Sequence, residues 1–127
     1  MILAAGRGER LRPLTDRVPK ALAEAGGKPL VVWQLERLAR AGFHDIVINV
    51  SHFAEAIEAR LGNGSAFGVS LAYSREAQPL ESAGGIAQAR QLLGREPFAR
   101  LVRAHHRIAA PRVTAACNTP GSAARRR

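Results

Sequence analysis

The order of apolar and polar residues predicts alternating strands and helices over the first 94 residues. Short apolar runs bounded by loops are typical of buried strands, and apolar residues repeated at helical spacing are typical of amphipathic helices. The run Asp45–Val50 is apolar on both faces, as expected of a strand that is covered on both sides. The predicted elements are strand, helix, strand, helix, strand and helix, over residues 1–4, 30–41, 45–50, 53–61, 69–73 and 82–93.

This alternation predicts an α/β fold with a mostly parallel sheet and helices on both faces. The pattern stops near Phe98, after which only the pair Leu101-Val102 is apolar before Arg103. We therefore expect one partial domain over residues 1–98, with a sheet truncated after about three strands. Residues 99–127 are expected to form a basic, disordered tail, because they bury too little apolar area to offset their ordering entropy.

Length and composition narrow the class of protein. A chain of 127 residues fits one domain. It contains no apolar run near the ~18 residues of a membrane-spanning helix, and its start does not resemble a signal peptide. The single cysteine, Cys117, excludes an internal disulfide and a multi-cysteine zinc site. We expect a cytoplasmic protein without a membrane partner.

The net charge of +9 is concentrated in the tail. Residues 1–98 carry 12 basic and all 10 acidic residues, whereas residues 99–127 carry seven arginines and no acidic residue. The run 125–127 would add weak, salt-dependent contacts to RNA phosphates, but without interleaved aromatic residues we favour a solvated tail. The adjacent His105 and His106 are also interpreted as solvated rather than as a metal pair. No specific nucleic-acid partner is expected.

The segment that follows the first predicted strand is suited to binding phosphate. It holds two glycines and three arginines between Ala5 and Pro13, and Lys20 follows shortly after. Glycine lets backbone N–H groups approach an anion closely, and arginine presents a planar, permanently charged fork to it. A tight turn without a ligand is the alternative. The segment lacks both the third glycine of a dinucleotide-binding fingerprint and the GKS or GKT of a Walker loop.

The string LAAGRGERLRPLT, followed by PK, resembles the signature of the sugar-1-phosphate nucleotidyltransferases. The resemblance extends through GGKPLVVWQLERLARAGFHDIVINV and LGNGSAFGVSLAYSREAQPLESAGGIAQA. It implies a Rossmann-like domain in which a sugar 1-phosphate attacks the α-phosphate of a nucleoside triphosphate, UTP or GTP here, and releases pyrophosphate. It also implies that the chain is an N-terminal, nucleotide-binding portion of a family member that serves nucleotide-sugar and cell-wall synthesis.

The resemblance assigns roles to individual residues. The phosphates would be held by Gly8, Glu9 and Arg10, with the Arg10 side chain facing the departing pyrophosphate. Lys20 would lie at the α-phosphate, so Arg10 and Lys20 are the expected catalytic residues. The base and ribose would contact two further segments, which are expected to comprise Leu3, Ala4, Ala5, Gly6, Gly84 and Gly85.

The resemblance also implies a magnesium ion, held by an aspartate after the strand that follows the third helix. In this sequence Ala104 stands at that position, or His105 if one residue is inserted, and no acidic residue follows. No metal ligand is therefore predicted in this chain, although Mg²⁺ is a hard cation that prefers carboxylate oxygen. Two interpretations remain open: a nucleotidyltransferase, or a nucleotide-binding fragment without catalytic activity. The abrupt change near residue 98 suggests a frameshift as the origin of the tail.

Overall fold

The computed structural model describes residues 1–80, 82–95, 98 and 101–102. The strands are β1 (Ile2–Leu3), β2 (Glu24–Ala25), β3 (Lys28–Pro29), β4 (Asp45–Val50), β5 (Ser70–Arg75) and β6 (Leu101–Val102). The helices are α1 (Leu30–Arg40), α2 (Ala54–Leu61) and α3 (Ser82–Leu93). The predicted helices and the strand over residues 45–50 are confirmed, and the next strand lies slightly further along the chain than its predicted range of 69–73.

The main sheet is parallel and has the strand order β5-β4-β1-β6. After β5 the chain crosses back past β4 and β1, so the strand order reverses direction beside β1. In open α/β sheets, ligands bind outside the carboxyl ends of the strands at such a reversal. The segment after β1 therefore starts where this kind of sheet usually binds its ligand.

The sheet has one strand more than the three expected from the sequence. This strand, β6, pairs with β1 and lies inside the segment 99–127 that was predicted to be a disordered tail. The prediction is wrong for these two residues, and the remainder of that segment lies outside the described residues. The small antiparallel pair of β2 and β3 was also not predicted, because strands of two residues show no periodicity.

One face of the sheet is covered by α1 and α2. Apolar residues of α1 recur at helical spacing and place Val31, Leu35 and Leu38 against the sheet. Ile57 of α2 and Ile48 of β4 join the same cluster, and neither residue is exposed to solvent. This cluster forms the larger part of the core and holds the centre of the sheet in place.

The opposite face is covered by α3. Ala89 of this helix is fully buried against Met1 and Val47, and Leu3 and Ile86 pack around them. The predicted covering of both faces by helices is therefore confirmed. No helix in the described part of the chain has the length and apolar character needed to cross a bilayer.

A bidentate ion pair links the carboxyl end of β5 to α2. The Arg75 guanidinium donates from Nε and Nη2 to the two carboxylate oxygens of Glu58, each at 2.7 Å. These hydrogen bonds lower the pKa of the Glu58 carboxyl. The side chains are partly exposed, so we expect the pair to orient the helix more than to stabilise the fold.

Candidate functional site

The loop that leaves β1 contains a sharp left-handed turn at Gly8. Its backbone has φ +66°, a conformation that glycine adopts without steric cost. Gly8 precedes a short 3₁₀ turn over Glu9–Leu11, in which the Leu11 N–H donates to the Gly8 carbonyl at 2.9 Å. The turn places Glu9 and Arg10 at the protein surface.

Gly8 is packed between two residues from later in the loop. The buried Thr15 donates a hydrogen bond from Oγ1 to the Gly8 carbonyl at 2.9 Å. A methyl group added to Gly8 would lie 2.9 Å from Thr15 Cγ2 and 3.0 Å from Lys20 Cβ. The fold thus brings together two predicted phosphate-site residues, Gly8 and Lys20. The buried Thr15 holds the Gly8 carbonyl in place through its hydrogen bond.

Replacing Gly8 with alanine should destabilise the protein by about 1–3 kcal/mol, because it combines a strained backbone with a steric clash. The matched control is Gly27→Ala, where φ is +75° but nothing lies within 4 Å of the added methyl group. Urea denaturation should show a larger loss of stability for Gly8→Ala than for Gly27→Ala. Equal losses would show that the contacts with Thr15 and Lys20 place no constraint on the loop.

The arginines of the loop differ in their surroundings. Arg12 pairs with Asp16 at 3.3 Å, and both side chains are more than half exposed. Arg10 is exposed and makes no ion pair with any residue in the described part of the chain. Its guanidinium donors are therefore available to an anion that approaches the turn at Gly8.

A cavity of about 260 Å³ opens beside this loop. Arg7 lines one side, and residues 51–53 and 77–79 line the rest. Residues 51–53 follow β4 directly and residues 77–79 come soon after β5, so the cavity lies at the carboxyl edge of the sheet. Arg7 stands between the two glycines of the loop, so one residue of the candidate phosphate segment also lines the cavity.

A buried polar side chain near the carboxyl end of β4 joins two other predicted segments. Asn49 Oδ1 accepts a hydrogen bond from the Ala4 N–H at 2.6 Å, and Asn49 Nδ2 donates to Glu76 Oε1 at 2.8 Å. A methyl group added to Gly85 would lie 2.7 Å from Glu76 Oε1 and 2.8 Å from Asn49 Nδ2. Ala4 and Gly85, both predicted site residues, therefore meet through Asn49.

Asn49 and Glu76 are not among the residues that the sequence predicts for the site. A signal was present, since Asn49 is the single polar residue in the otherwise apolar run over residues 46–50. The remaining predicted residues of these two segments are Leu3, Ala5, Gly6 and Gly84. Leu3 ends β1, Ala5 is buried, Gly6 is exposed, and Gly84 stands in the first turn of α3.

The carboxylates around the site do not form a metal centre. Among the residues that the structure describes, no three His, Cys, Asp or Glu side chains come close enough to hold an ion. Glu76 is engaged with Asn49, and Asp16 is paired with Arg12. The described residues thus contain no ready cluster of metal ligands, and positions 104–106 lie outside them.

Comparison with known proteins gives the family of this chain. Residues 1–119 match the family described as Nucleotidyl transferase, and the chain belongs to that family. A curated relative, the N-acetylmuramate alpha-1-phosphate uridylyltransferase of Neisseria meningitidis serogroup B, is 62% identical over 99 residues. The match covers 77% of this chain and 43% of that protein.

Two further comparisons agree with this family. The mannose-1-phosphate guanylyltransferase catalytic subunit beta of Danio rerio is 41% identical, over 77% of this chain and 28% of that protein. A solved structure described as a glucose-1-phosphate thymidylyltransferase of Bacillus anthracis superposes with a TM-score of 0.74 at 26% identity. It covers 80% of this chain, which in turn covers 42% of that structure. The expected resemblance is confirmed, and this chain spans less than half the length of these relatives.

Proposed function

We propose that the chain forms the nucleotide-binding part of a nucleotidyltransferase that joins a nucleoside triphosphate to a sugar 1-phosphate. The observation that carries the proposal is the left-handed turn at Gly8, packed on Thr15 and Lys20 at the carboxyl edge of a parallel sheet. A turn of this kind exposes backbone N–H groups to an anion, and cationic side chains flank it. Membership of the nucleotidyl transferase family supports the same conclusion.

The phosphate chain would lie over the turn. Backbone N–H groups around Gly8 and Glu9 would bind its oxygens, and Arg10 would contact the terminal phosphates. Lys20, held beside Gly8 in the fold, would stand near the α-phosphate. The base and ribose would occupy the cavity beside Arg7. The segment 3–6 and Gly84-Gly85 do not line this cavity, and the resemblance places them at the base and ribose as well.

The reaction assigned to this site is nucleotidyl transfer, a substitution at the α-phosphorus of the nucleoside triphosphate. An oxygen of the sugar 1-phosphate attacks the α-phosphorus, the bond from the α-phosphorus to the bridging oxygen breaks, and pyrophosphate leaves. Negative charge grows on the α-phosphate and on the leaving group during this step, and fixed cations stabilise it. Lys20 is placed for the first of these charges and Arg10 for the second.

The nature of the relatives supports UTP or GTP as the nucleotide. The Neisseria relative is named as a uridylyltransferase and the Danio relative as a guanylyltransferase. Their names also give N-acetylmuramate 1-phosphate and mannose 1-phosphate as the sugar phosphates to test first.

A second candidate function is nucleotide binding without turnover. The observation that favours it is the lack of any acidic residue after Phe98, including positions 104 and 105. A chain without a carboxylate there has no group at that position to hold a metal ion against the reacting phosphates.

Titration and turnover assays on the full chain separate these functions. We expect UTP or GTP to bind more tightly than ATP in calorimetric titrations. Release of pyrophosphate on adding a sugar 1-phosphate would identify the transferase, whereas nucleotide binding without pyrophosphate release would identify the binding module. Failure to bind inorganic tripolyphosphate or any nucleoside triphosphate would reject both functions.

Magnesium should add little to triphosphate affinity in this chain. The described residues form no cluster of metal ligands, so we expect the phosphates and water to supply most of the ion's ligands. The comparison is UTP titration in Mg²⁺ and in excess chelator at equal ionic strength. A loss of more than about tenfold in chelator would contradict the prediction, since it would require a protein ligand worth over ~1.4 kcal/mol.

A further inference from the structure

Four residues form a continuous chain of hydrogen bonds across the carboxyl edge of the sheet, with its central bond buried. The Ala4 N–H donates to Asn49 Oδ1 at 2.6 Å, and Asn49 Nδ2 donates to Glu76 Oε1 at 2.8 Å. The second oxygen of the same carboxylate, Glu76 Oε2, accepts from the Leu80 N–H at 2.8 Å. The hydrogen-bond chain therefore starts at the segment after β1 and ends in the loop before α3.

The two ends of this hydrogen-bond chain fix which atoms donate and which accept along it. The backbone N–H groups of Ala4 and Leu80 can only donate, so an acceptor must face each of them. Asn49 and Glu76 are 3% and 4% exposed, too little for water to replace a lost partner. Helix α3 closes the arrangement at Gly85, whose missing side chain leaves room for the Asn49–Glu76 hydrogen bond.

The hydrogen-bond chain fixes the loop that lines the cavity. Residues 77–79 lie between Glu76 and Leu80, and the carboxylate of the first binds the backbone of the second. The Glu76 N–H also donates to the Val50 carbonyl at 2.8 Å, which ties the start of the loop to β4. Arg7, three residues after Ala4, also lines the cavity. The two ends of the hydrogen-bond chain thus lie next in sequence to residues 77–79 and close to Arg7, which all line the cavity.

We propose that Asn49 and Glu76 are positioning residues of the nucleotide site, which set the distance between the loop at Arg7 and the loop over residues 77–79. The proposal rests on the proposed function, because it assumes that the base and ribose enter this cavity. Neither side chain touches the phosphates in this arrangement. Their effect should therefore fall on the nucleoside part of the ligand and spare its phosphate part.

Exchanging donor and acceptor tests the proposal. In Asn49→Asp two carboxylates face each other, and in Glu76→Gln one amide N–H₂ group must face a donor. The double variant restores a complete hydrogen-bond chain with its central bond reversed. The amide introduced at position 76 would donate to the carboxylate introduced at position 49, while both side chains still accept from the backbone. The matched control is Glu58→Gln, the same carboxylate-to-amide change in a partly exposed ion pair elsewhere.

The probes are UTP and inorganic tripolyphosphate, titrated by calorimetry into proteins whose folding is checked by circular dichroism. Each single variant should bind UTP about tenfold more weakly, the effect expected of one mismatched buried hydrogen bond. Tripolyphosphate affinity should stay within about twofold of the parent protein, as for independent sites. The double variant should recover most of the UTP affinity, and Glu58→Gln should bind both probes as the parent does.

Three results would overturn the proposal: unchanged UTP affinity in folded single variants, equal loss for both probes, or a double variant no better than the singles. If a single variant does not fold, the double variant decides, and it must both fold and bind UTP. A parent protein that binds tripolyphosphate but does not prefer UTP to it overturns this proposal, because the cavity then holds no nucleoside. A parent that binds neither probe rejects the proposed function itself.

Discussion

Replacing Arg10 with alanine should weaken triphosphate binding by about ten- to a hundredfold. Arg10 is exposed beside the turn at Gly8, and its guanidinium can donate two charge-assisted hydrogen bonds to one phosphate. Hydrogen bonds to charged groups contribute about 1.5–3 kcal/mol, and each ~1.4 kcal/mol corresponds to tenfold in affinity. The measurement is calorimetric titration of UTP and of tripolyphosphate at one fixed salt concentration.

The matched control is Arg40→Ala, at the exposed last position of α1. It removes the same charge from the protein without removing a donor from the site. A loss of affinity that both variants share is therefore due to the lower net charge of the protein. Only the additional loss of affinity in Arg10→Ala indicates a contact with phosphate. Equal affinities in both variants would remove Arg10 from the site.

Replacing Leu35 with alanine should have the largest effect on stability, about 2–5 kcal/mol of unfolding free energy. Leu35 is fully buried on α1, in the cluster that joins both helices of this face to the sheet. The substitution removes apolar contacts and leaves a cavity in a close-packed region. Because the total stability of a domain is about 5–15 kcal/mol, urea denaturation should show a much lower midpoint.

Leu92→Ala is the control for this substitution. Leu92 lies on α3 and is 49% exposed, so the same change of side chain should alter the unfolding free energy by less than about 0.5 kcal/mol. A loss in Leu35→Ala as small as that in Leu92→Ala would contradict the assigned packing of α1. Tripolyphosphate binding is also measured at low temperature, where the Leu35→Ala protein is folded. Weaker binding there would show that packing of the core around Leu35 also holds the loop after β1 in its binding conformation.

The substitutions at Arg10 and Leu35 separate ligand binding at the surface from stability of the core. Arg10 lies on the surface, and its loss should reduce binding without changing the unfolding midpoint. Leu35 lies in the core, and its loss should change the midpoint first. A protein in which Arg10→Ala lowered stability as much as Leu35→Ala would need a structural contact for Arg10 that the described residues do not show.

Local sequence determined the helices and the longer strands of this protein. Apolar residues at helical spacing over α1, and the buried run of β4, are properties of neighbouring residues, so they are visible without the fold. The glycines and arginines after β1 also indicated an anion site by composition alone. The left-handed turn at Gly8 adds a second reason for glycine there, the positive φ, beside the expected close approach of an anion.

Only the tertiary structure decided the strand order, the pairing of β6 with β1, and the residues that surround the cavity. A strand of two residues such as β6 has no period of its own and is defined by its partner. Asn49 meets Ala4 across 45 residues of sequence and Glu76 across 27. Hydrogen bonds between such distant residues depend on the register of parallel strands, and register is set by packing of the whole sheet rather than by any local pattern.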